Sequence, residues 1–378
     1  MNKNLLLAFV GIGIGGITFG LLTPVTVVLF ERNNTPGIIT GIITTINYVP
    51  FVLFSTWIGQ YVEKHGIKIV MLGGLISLIV GSLGHIFWNN LYILIPVRFI
   101  TGIGSTAIFV ATEILINLES DTTNRGKNIG LYVILLSLGI AFGTMLVWTV
   151  ELADWLPFVV GALVMIFVLI LQSAFMDTKT SLIIESCREK MPLSKMPTMS
   201  MLSAFIFGVF EASVFVAVPI FGLRSFFSTS EVSTFLTSFV AGGIIILYFI
   251  SKLSDTVSKF NLLLFVSVIL GALFLTPIIT NQFYVLLIAF FIIGGLVPSY
   301  YTIGLNLTME IVESKYIAQS NGHFIMMYGV GTLLGPMFGA MLVDFSSHYG
   351  YWLFSSTLCF LFFLYFIITK RSRQILPD

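Results

Sequence analysis

The sequence predicts an all-α membrane protein with twelve transmembrane helices in two six-helix repeats, and three observations support this fold class. Hydrophobic residues make up 57% of the 378 residues and charged residues 9%, whereas a soluble globular domain carries about 25% charged residues. Apolar runs of about 20 residues, the length that crosses a bilayer as a helix, recur along the whole chain. Glycines of the first half recur in the second half at one fixed offset.

The predicted spans divide evenly between the two halves. In the first half they lie near residues 4–30, 36–61, 68–87, 91–117, 128–150 and 154–175. In the second half they lie near residues 200–222, 231–252, 260–279, 282–308, 318–343 and 349–369. We therefore expect an N-terminal six-helix half at residues 1–175, a cytoplasmic linker at 176–199 and a C-terminal six-helix half at 200–378.

The basic residues predict the orientation of the chain in the cell membrane. If successive spans alternate in direction, Arg32 and Arg224 fall on one side, Arg98 falls inside a span, and the other Lys and Arg residues all fall on the opposite side. Loops rich in Lys and Arg face the cytoplasm, so both termini are expected there.

The internal repeat has an offset of 192 residues. The glycine pairs that share it are Gly16 with Gly208, Gly102 with Gly294, Gly130 with Gly322, Gly139 with Gly331 and Gly143 with Gly335. The acidic turn at Glu63 matches the one at Asp255 with the same offset. So many matches exceed what chance alignment of glycines gives, and the chain is expected to contain one module twice.

Charge and cysteine content limit the partners. A net charge of +1, with the basic residues in short loops, argues against a nucleic-acid partner. Cys187 lies in a polar loop and Cys359 in an apolar run, so neither a disulfide nor a metal site is expected. We expect a monomer in the lipid bilayer, without a metal ion or another cofactor.

The turn after the second span carries a recognisable motif. The segment from Gly59 to Lys68 has an acid at Glu63, followed by Lys64 and Gly66, and it resembles motif A of the major facilitator superfamily. Ile67 replaces one basic residue of that motif. The resemblance implies a conformational latch formed by Gly59, Glu63, Lys64, Gly66 and the repeat residue Asp255. The alternative is a solvated turn.

Two further segments resemble motifs of the same superfamily. Arg98, with Thr101 in place of a glutamine, is similar to motif B, whose arginine is linked to proton transfer; the alternative is an arginine that extends to the outer membrane interface. Gly130, Gly139 and Gly143 resemble motif C of drug/proton antiporters, although Thr144 replaces its proline. The second-half residues expected to share this packing and gating role are Gly331, Gly335, Pro336 and Gly339. Helix packing without any role in direction is the alternative for all of these glycines.

Carboxyl groups inside the spans are the candidates for proton coupling or substrate binding. Glu211 falls at the middle of the seventh span, where its short side chain cannot reach the interface, so we expect it to face the central cavity between the halves. A permanently protonated structural carboxyl is the alternative. Glu113 lies nearer the cytoplasmic end of the fourth span, where it is either functional or solvated.

Polar residues in otherwise apolar spans are expected to line a cavity, with hydrogen bonding between helices as the alternative. They are Asn47, Tyr48, Tyr300, Tyr301 and Asn306.

The resemblance covers all twelve spans and implies a transporter that works by alternating access, with its site between the halves. The partial motif C is most similar to proton-coupled exporters, so the expected cargo is a small amphipathic drug or metabolite together with protons. An importer or lipid translocator of the same fold is the alternative. A remote alternative is an intramembrane enzyme that uses Ser105 and His323; otherwise we expect no enzymatic activity.

Overall fold

The structure is a computed structural model that describes residues 3–120, 125–176, 196–254, 256–312, 316–345 and 348–375. Within these ranges, the side chains of residues 63, 117, 125–127, 129, 317–319, 345 and 369–375 are not described. Regular secondary structure in the described ranges is entirely helical.

Seven α-helices precede residue 177. They are α1 (Lys3–Arg32), α2 (Gly37–Ile46), α3 (Val49–His65), α4 (Ile67–Gly84), α5 (Leu91–Glu119), α6 (Arg125–Met145) and α7 (Leu156–Phe175). Short 3-10 helices follow α4 at His85–Phe87 and α6 at Val147–Glu151.

Eight α-helices follow residue 196. They are α8 (Thr198–Arg224), α9 (Thr229–Ser254), α10 (Lys259–Leu273), α11 (Thr276–Ile279), α12 (Phe283–Leu296), α13 (Ser299–Ile311), α14 (Ile317–Phe345) and α15 (Gly350–Ile375).

These helices confirm the predicted fold class, because twelve helical stretches of the described chain are long and apolar enough to cross a membrane. Three spans are interrupted near a proline. Pro50 is the second residue of α3, Pro277 is the second residue of α11, and Pro298 immediately precedes α13. Proline has no backbone N–H, so the hydrogen-bond ladder breaks at each of these points. The chain is therefore a multi-pass membrane protein.

Large apolar side chains remain exposed along these spans. Leu53, Phe167 and Phe265, for example, each keep about 60% of their surface accessible. Monomeric soluble proteins rarely expose extended apolar surface, and a lipid bilayer covers such surface without cost. The exposed faces of the helices agree with the membrane location.

The chain forms two compact units. The first contains Met1–Cys187 together with Phe227–Thr237, and the second contains Arg188–Phe226 together with Ser238–Asp378. The proposed linker at 176–199 lies mostly outside the described residues, so its boundaries stay a prediction.

Within the first unit, α1 and α6 pack backbone against backbone. A Cβ atom on Gly16 would collide with the backbone of Leu136, Gly139 and Ile140. Only a glycine at position 16 lets the two helices approach this closely, as is common between helices in membranes.

Within the second unit, α8 and α14 make the same contact. A Cβ atom on Gly208 would collide with the backbone of Tyr328, Gly331 and Thr332, and each of these residues lies 192 positions after its counterpart in the first unit. The helix contacts therefore confirm the predicted register of the repeat.

Candidate functional site

A carboxyl and a tyrosine meet inside the second unit. Glu211 lies midway along α8, and the Tyr328 hydroxyl of α14 donates a hydrogen bond of 2.6 Å to its Oε2 atom. Tyr328 reaches Glu211 because Gly208 and Gly331 bring the two helices into backbone contact. The Glu211 side chain is half-buried, so the packing of α8 on α14 leaves part of it accessible.

Two aromatic rings pack against Tyr328, the hydrogen-bond partner of Glu211. Phe207 stacks on Tyr328 with ring centroids 5.3 Å apart and an interplanar angle of 19°. Tyr301 of α13 lies 5.3 Å from Phe207 and 5.5 Å from Tyr328. The hydroxyl donor of the carboxyl therefore belongs to a cluster of three aromatic rings.

A buried arginine occupies the first unit. Arg98 of α5 is 1% exposed, and its Nη1 donates a hydrogen bond of 3.1 Å to Thr23 Oγ1 of α1. The interpretation in which Arg98 extends to the membrane interface is therefore wrong. The side chain lies against α1, where Thr23 offers it an acceptor.

Arg98 borders a small internal cavity of about 10 Å³. The polar residues that line it are Thr18, Thr23, Asn47, Arg98, Thr101 and Ser105. Asn47, which the sequence predicts to line a cavity, is among these residues, and a functional role for it stays a prediction. Tyr48, the next residue, is half-buried and close enough to Arg98 to interact with it electrostatically.

Glu113 lies on the same helix as Arg98 but apart from it. Fifteen residues separate them, which corresponds to roughly 22 Å at the helical rise. Glu113 is exposed, and its carboxyl interacts with the Tyr132 hydroxyl of α6. Glu113 therefore does not neutralise Arg98.

The second-half residues predicted to line a cavity have different surroundings. Tyr300 is fully buried, and its hydroxyl donates a hydrogen bond of 2.8 Å to Ser267 of α10. Tyr300 thus joins helices and does not line a cavity, because its ring points into the packed interior of the second unit. Tyr301 packs against Tyr328, the hydrogen-bond partner of Glu211, and Asn306 is half-buried on α13.

No group of three or more His, Cys, Asp or Glu side chains that could hold a metal ion occurs among the described residues. Cys359 is a buried free thiol, whereas Cys187 lies outside the described residues. Among the described spans, Glu211 offers a carboxyl with a hydroxyl donor, and Arg98 offers a buried guanidinium with hydroxyl and amide neighbours.

A sequence model of the Major Facilitator Superfamily matches residues 7–197 and 200–377. The chain belongs to this superfamily.

Relatives and solved structures agree with that assignment. The chain is 28% identical over 338 residues to the "Uncharacterized MFS-type transporter YfkF" of Bacillus subtilis, covering 87% of this chain and 85% of the relative. It is 25% identical to YcaD of Escherichia fergusonii, with 73% and 72% covered. The nucleoside transporter NupG shares the fold with a TM-score of 0.76 at 15% identity, covering 97% and 99% of the two chains. An occupied, inward-facing bacterial homolog of the human lysosomal transporter Spinster has a TM-score of 0.75 at 15% identity, covering 97% and 96%.

The superfamily's motif A occupies a sharper turn than the sequence predicts. Residues 59–65 belong to α3, and the turn consists of Gly66 alone, with φ 88° and ψ 155°. The predicted tight turn over the whole motif is therefore wrong; only glycine adopts this conformation readily, so the reversal takes place at Gly66. Gly59 has open space around it, and Lys64 is exposed.

The acids of the predicted latch fall outside what the structure describes. Glu63 lies in the last turn of α3 but its side chain is not described, and Asp255 lies outside the described residues. Lys68 has a defined contact that the sequence does not reveal: its ammonium donates a hydrogen bond of 2.7 Å to the carbonyl of Met176, at the end of α7. A lysine at a helix C-terminus stabilises the unpaired carbonyls there. The latch itself stays a prediction.

The motif C glycines of the first unit divide into two kinds. Gly139 and Gly143 face the backbone of Gly13 and Ile17 on α1, so a side chain at either position would meet that helix. For Gly130 the packing prediction is wrong, because a Cβ atom there would have no neighbour within 4 Å.

The corresponding residues of α14 pack in the same way. Gly331, Gly335 and Gly339 face the carbonyl groups of α8. The helix continues through Pro336 without interruption. A gating role for these residues stays a prediction.

Sequence reasoning missed several residues of both sites. Tyr328 was not predicted because a single tyrosine in an apolar span is not distinctive. The repeat contains a usable signal, however. Tyr328 corresponds to Leu136, which faces Gly16 of α1, so the repeat places Tyr328 opposite α8. Thr18 and Thr23 were missed because isolated threonines are common in spans. Their only signal is that both lie on the first span, which packs against the helix of Arg98.

Proposed function

We propose that this chain is a secondary active transporter that exports a small amphipathic molecule in exchange for protons. It works as a monomer in the cell membrane by alternating access, with both termini in the cytoplasm and without an enzymatic step. The observation that carries the proposal is the hydrogen-bonded pair of Glu211 and Tyr328 inside the second unit.

The surroundings of Glu211 suit both protonation states of a carboxyl. The protonated, neutral group is stable at the middle of an apolar span, because burial in apolar surroundings disfavours charge. The ionised group has the Tyr328 hydroxyl as a donor, and a hydrogen bond to an ionised acceptor is stronger than one between neutral groups. A carboxyl that tolerates both states can bind and release a proton in each transport cycle.

Similarity to other proteins supports the proposal that the chain is a transporter. YfkF and YcaD are both described as MFS-type transporters. The direction rests on the partial motif C, in which Gly139 and Gly143 pack closely on α1. The motif resembles that of drug/proton antiporters, so we propose export rather than uptake.

Inside-out membrane vesicles test the proposal. When respiration acidifies the vesicle lumen, an exporter accumulates its substrate inside, and an uncoupler abolishes this accumulation. The probes are ethidium as an amphipathic cation, Nile red as a neutral molecule and carboxyfluorescein as an anion, each compared with vesicles that lack the protein. We expect accumulation of at least one probe, and its loss on uncoupling.

Glu211→Gln isolates the coupling step. Glutamine keeps the size and the hydrogen bond to Tyr328 but cannot release a proton, so accumulation should fall to the uncoupled level. Exchange of labelled for unlabelled probe across the membrane, which needs no net proton movement, should continue. Glu310→Gln is the matched control, since Glu310 is exposed at the end of α13 and pairs with Lys259. Full pH-driven accumulation by Glu211→Gln would refute the coupling role.

A further inference from the structure

The cavity beside Arg98 has an unusual share of polar atoms without a partner. Arg98 Nε and Nη2, Thr18 Oγ1 and Asn47 Oδ1 are all buried and make no hydrogen bond. These side chains come from α5, from α1 and from the break between α2 and α3. All of them line the same cavity. Buried polar groups in proteins are nearly always paired, so a cluster of unpaired ones requires an explanation.

Arg98 also lacks a counter-charge. Its recorded contacts among the described residues are the hydroxyl of Thr23 and electrostatic interactions with Tyr48 and His85, and none of these is a carboxylate. A buried charge without a partner is strongly unfavourable. A cation retained here with two free donor nitrogens is therefore suited to an anion that arrives from outside the chain.

The second unit provides an internal comparison. At the positions 192 residues after Thr18, Thr23, Asn47 and Arg98, the chain carries only phenylalanine. These residues are Phe210, Phe215, Phe239 and Phe290. Phe210 and Phe290 are almost fully buried, and Phe215 packs edge-on against Phe239.

The same scaffold is thus stable with an aromatic filling. Polar residues at these positions are not needed to hold the fold together, which leaves a binding role as the reason for the cluster in the first unit.

The size and walls of the cavity define the ligand. A volume of about 10 Å³ admits a group about as large as one water molecule, which matches a single carboxylate oxygen. Phe19 also lines the cavity, and its ring packs edge-on against Phe109 at 5.7 Å and Tyr48 at 6.3 Å. An apolar aromatic surface therefore lies directly beside the arginine.

We propose that Arg98, Thr18 and Asn47 form an anion-recognition site that binds one oxygen of the carboxylate of an amphipathic substrate. The guanidinium donates from Nε and Nη2, which are the two nitrogens left free by Thr23. The hydroxyl of Thr18 donates a further hydrogen bond, and the Asn47 amide presents its NH₂ group to the anion after a half-turn. The aromatic rings beside the cavity contact the apolar part of the molecule. This inference rests on the proposed transport function and narrows its substrate class to organic carboxylates.

Ligand binding to the purified full-length protein in lipid nanodiscs tests the proposal without any gradient. The probes are sodium benzoate and sodium 4-phenylbutyrate, with benzamide as the uncharged analogue and sodium chloride as the inorganic anion. The readout is the midpoint of thermal unfolding as a function of probe concentration, because a ligand that binds the folded state raises this midpoint. Both carboxylates should raise it, whereas benzamide and chloride should not.

Three variants locate the site. Arg98→Lys keeps the charge but loses the planar donor fork, and it should weaken carboxylate binding about tenfold or more. Thr18→Val preserves the side-chain shape, removes one hydroxyl and should weaken binding about threefold to tenfold, which keeps the test valid if the arginine variant does not fold. Arg224→Lys is the matched control at the end of α8, and it should bind like the unmodified protein.

Other results would overturn the inference. An effect of chloride equal to that of benzoate would identify an inorganic-anion site, and no effect of any anion would identify a cavity that holds water only. Unchanged binding in both Arg98→Lys and Thr18→Val would place the carboxylate elsewhere. The experiments distinguish failure of this inference from failure of the proposed function. Carboxylate binding without proton-driven transport contradicts only the proposed function. Transport of ethidium without carboxylate binding contradicts only the anion-recognition site.

Discussion

Replacing Gly139 by alanine should destabilise the first unit, whereas the same change at Gly130 should not. A Cβ atom on Gly139 would collide with the carbonyl oxygen of Gly13, and it would lie 2.8 Å from the carbonyl carbon of Gly13 and 3.2 Å from the Cα of Gly16. All three are backbone atoms, so the collision cannot be relieved by a change of rotamer. At Gly130 the added methyl group enters open space.

The expected magnitude follows from two opposing effects. Alanine in place of glycine stabilises a helix by about 1 kcal/mol, and this gain is common to both variants. Overpacking at a close contact costs about 1–3 kcal/mol. The free energies of unfolding of Gly139→Ala and Gly130→Ala should therefore differ by about 1–3 kcal/mol, with Gly130→Ala as stable as the unmodified protein or slightly more so.

Equilibrium unfolding in mixed detergent micelles, followed by tryptophan fluorescence, measures this difference. The repeat supplies a second matched pair, because Gly331 faces the carbonyl oxygen of Phe205 whereas Gly322 has no neighbour within 4 Å. Equal stability within each pair would show that the close backbone approach does not limit packing, and the reasoning from the repeat would fail.

Three further predictions concern stability. Gly66→Ala should lower the free energy of unfolding by about 1–3 kcal/mol, because a residue with a side chain is strained at a φ of 88°. Gly59→Ala, at a helical position with open space around it, should not lower the free energy of unfolding. The unfolding assay described above compares the two variants. Tyr300→Phe should cost about 1 kcal/mol because it removes a buried hydrogen bond to α10, and a value near zero would show that the ring alone is sufficient. Asp344→Asn breaks an ion pair with Arg224 in which both side chains are about one-third exposed; the loss should be below about 1 kcal/mol and should shrink as salt is raised from 50 to about 500 mM.

The helical framework was predictable from the sequence because hydropathy and glycine spacing act over many residues at once. The offset of 192 residues predicted which helices correspond, and the equivalent contacts of Gly16 and Gly208 follow from it. The breaks inside spans were not predicted, although Pro50 and Pro298 mark them. A proline inside an apolar run allows either a kink or a break, and only packing decides between them.

The sites were predictable only in part, for a physical reason. Glu211 could be found because a carboxyl in the middle of a span is unfavourable without a role. Its partner Tyr328 depends on how two helices cross, and one span does not contain that information. The inward direction of Arg98 likewise depends on the neighbouring Thr23 of α1. Gly130 shows a limit of motif spacing. The spacing identifies the glycine as part of a pattern, but it does not show whether another helix packs against that position.

The glycine contacts described for α1 with α6 and for α8 with α14 have a mechanical consequence. No layer of side chains separates the backbones in these pairs, so there are no rotamers to rearrange when the helices slide. The two helices of each pair should therefore move as one rigid body and keep their relative geometry through a transport cycle. Conformational change within a unit should then occur at other positions, such as the single-residue turn at Gly66 and the helix breaks near prolines. A spectroscopic probe placed at these positions should report motion.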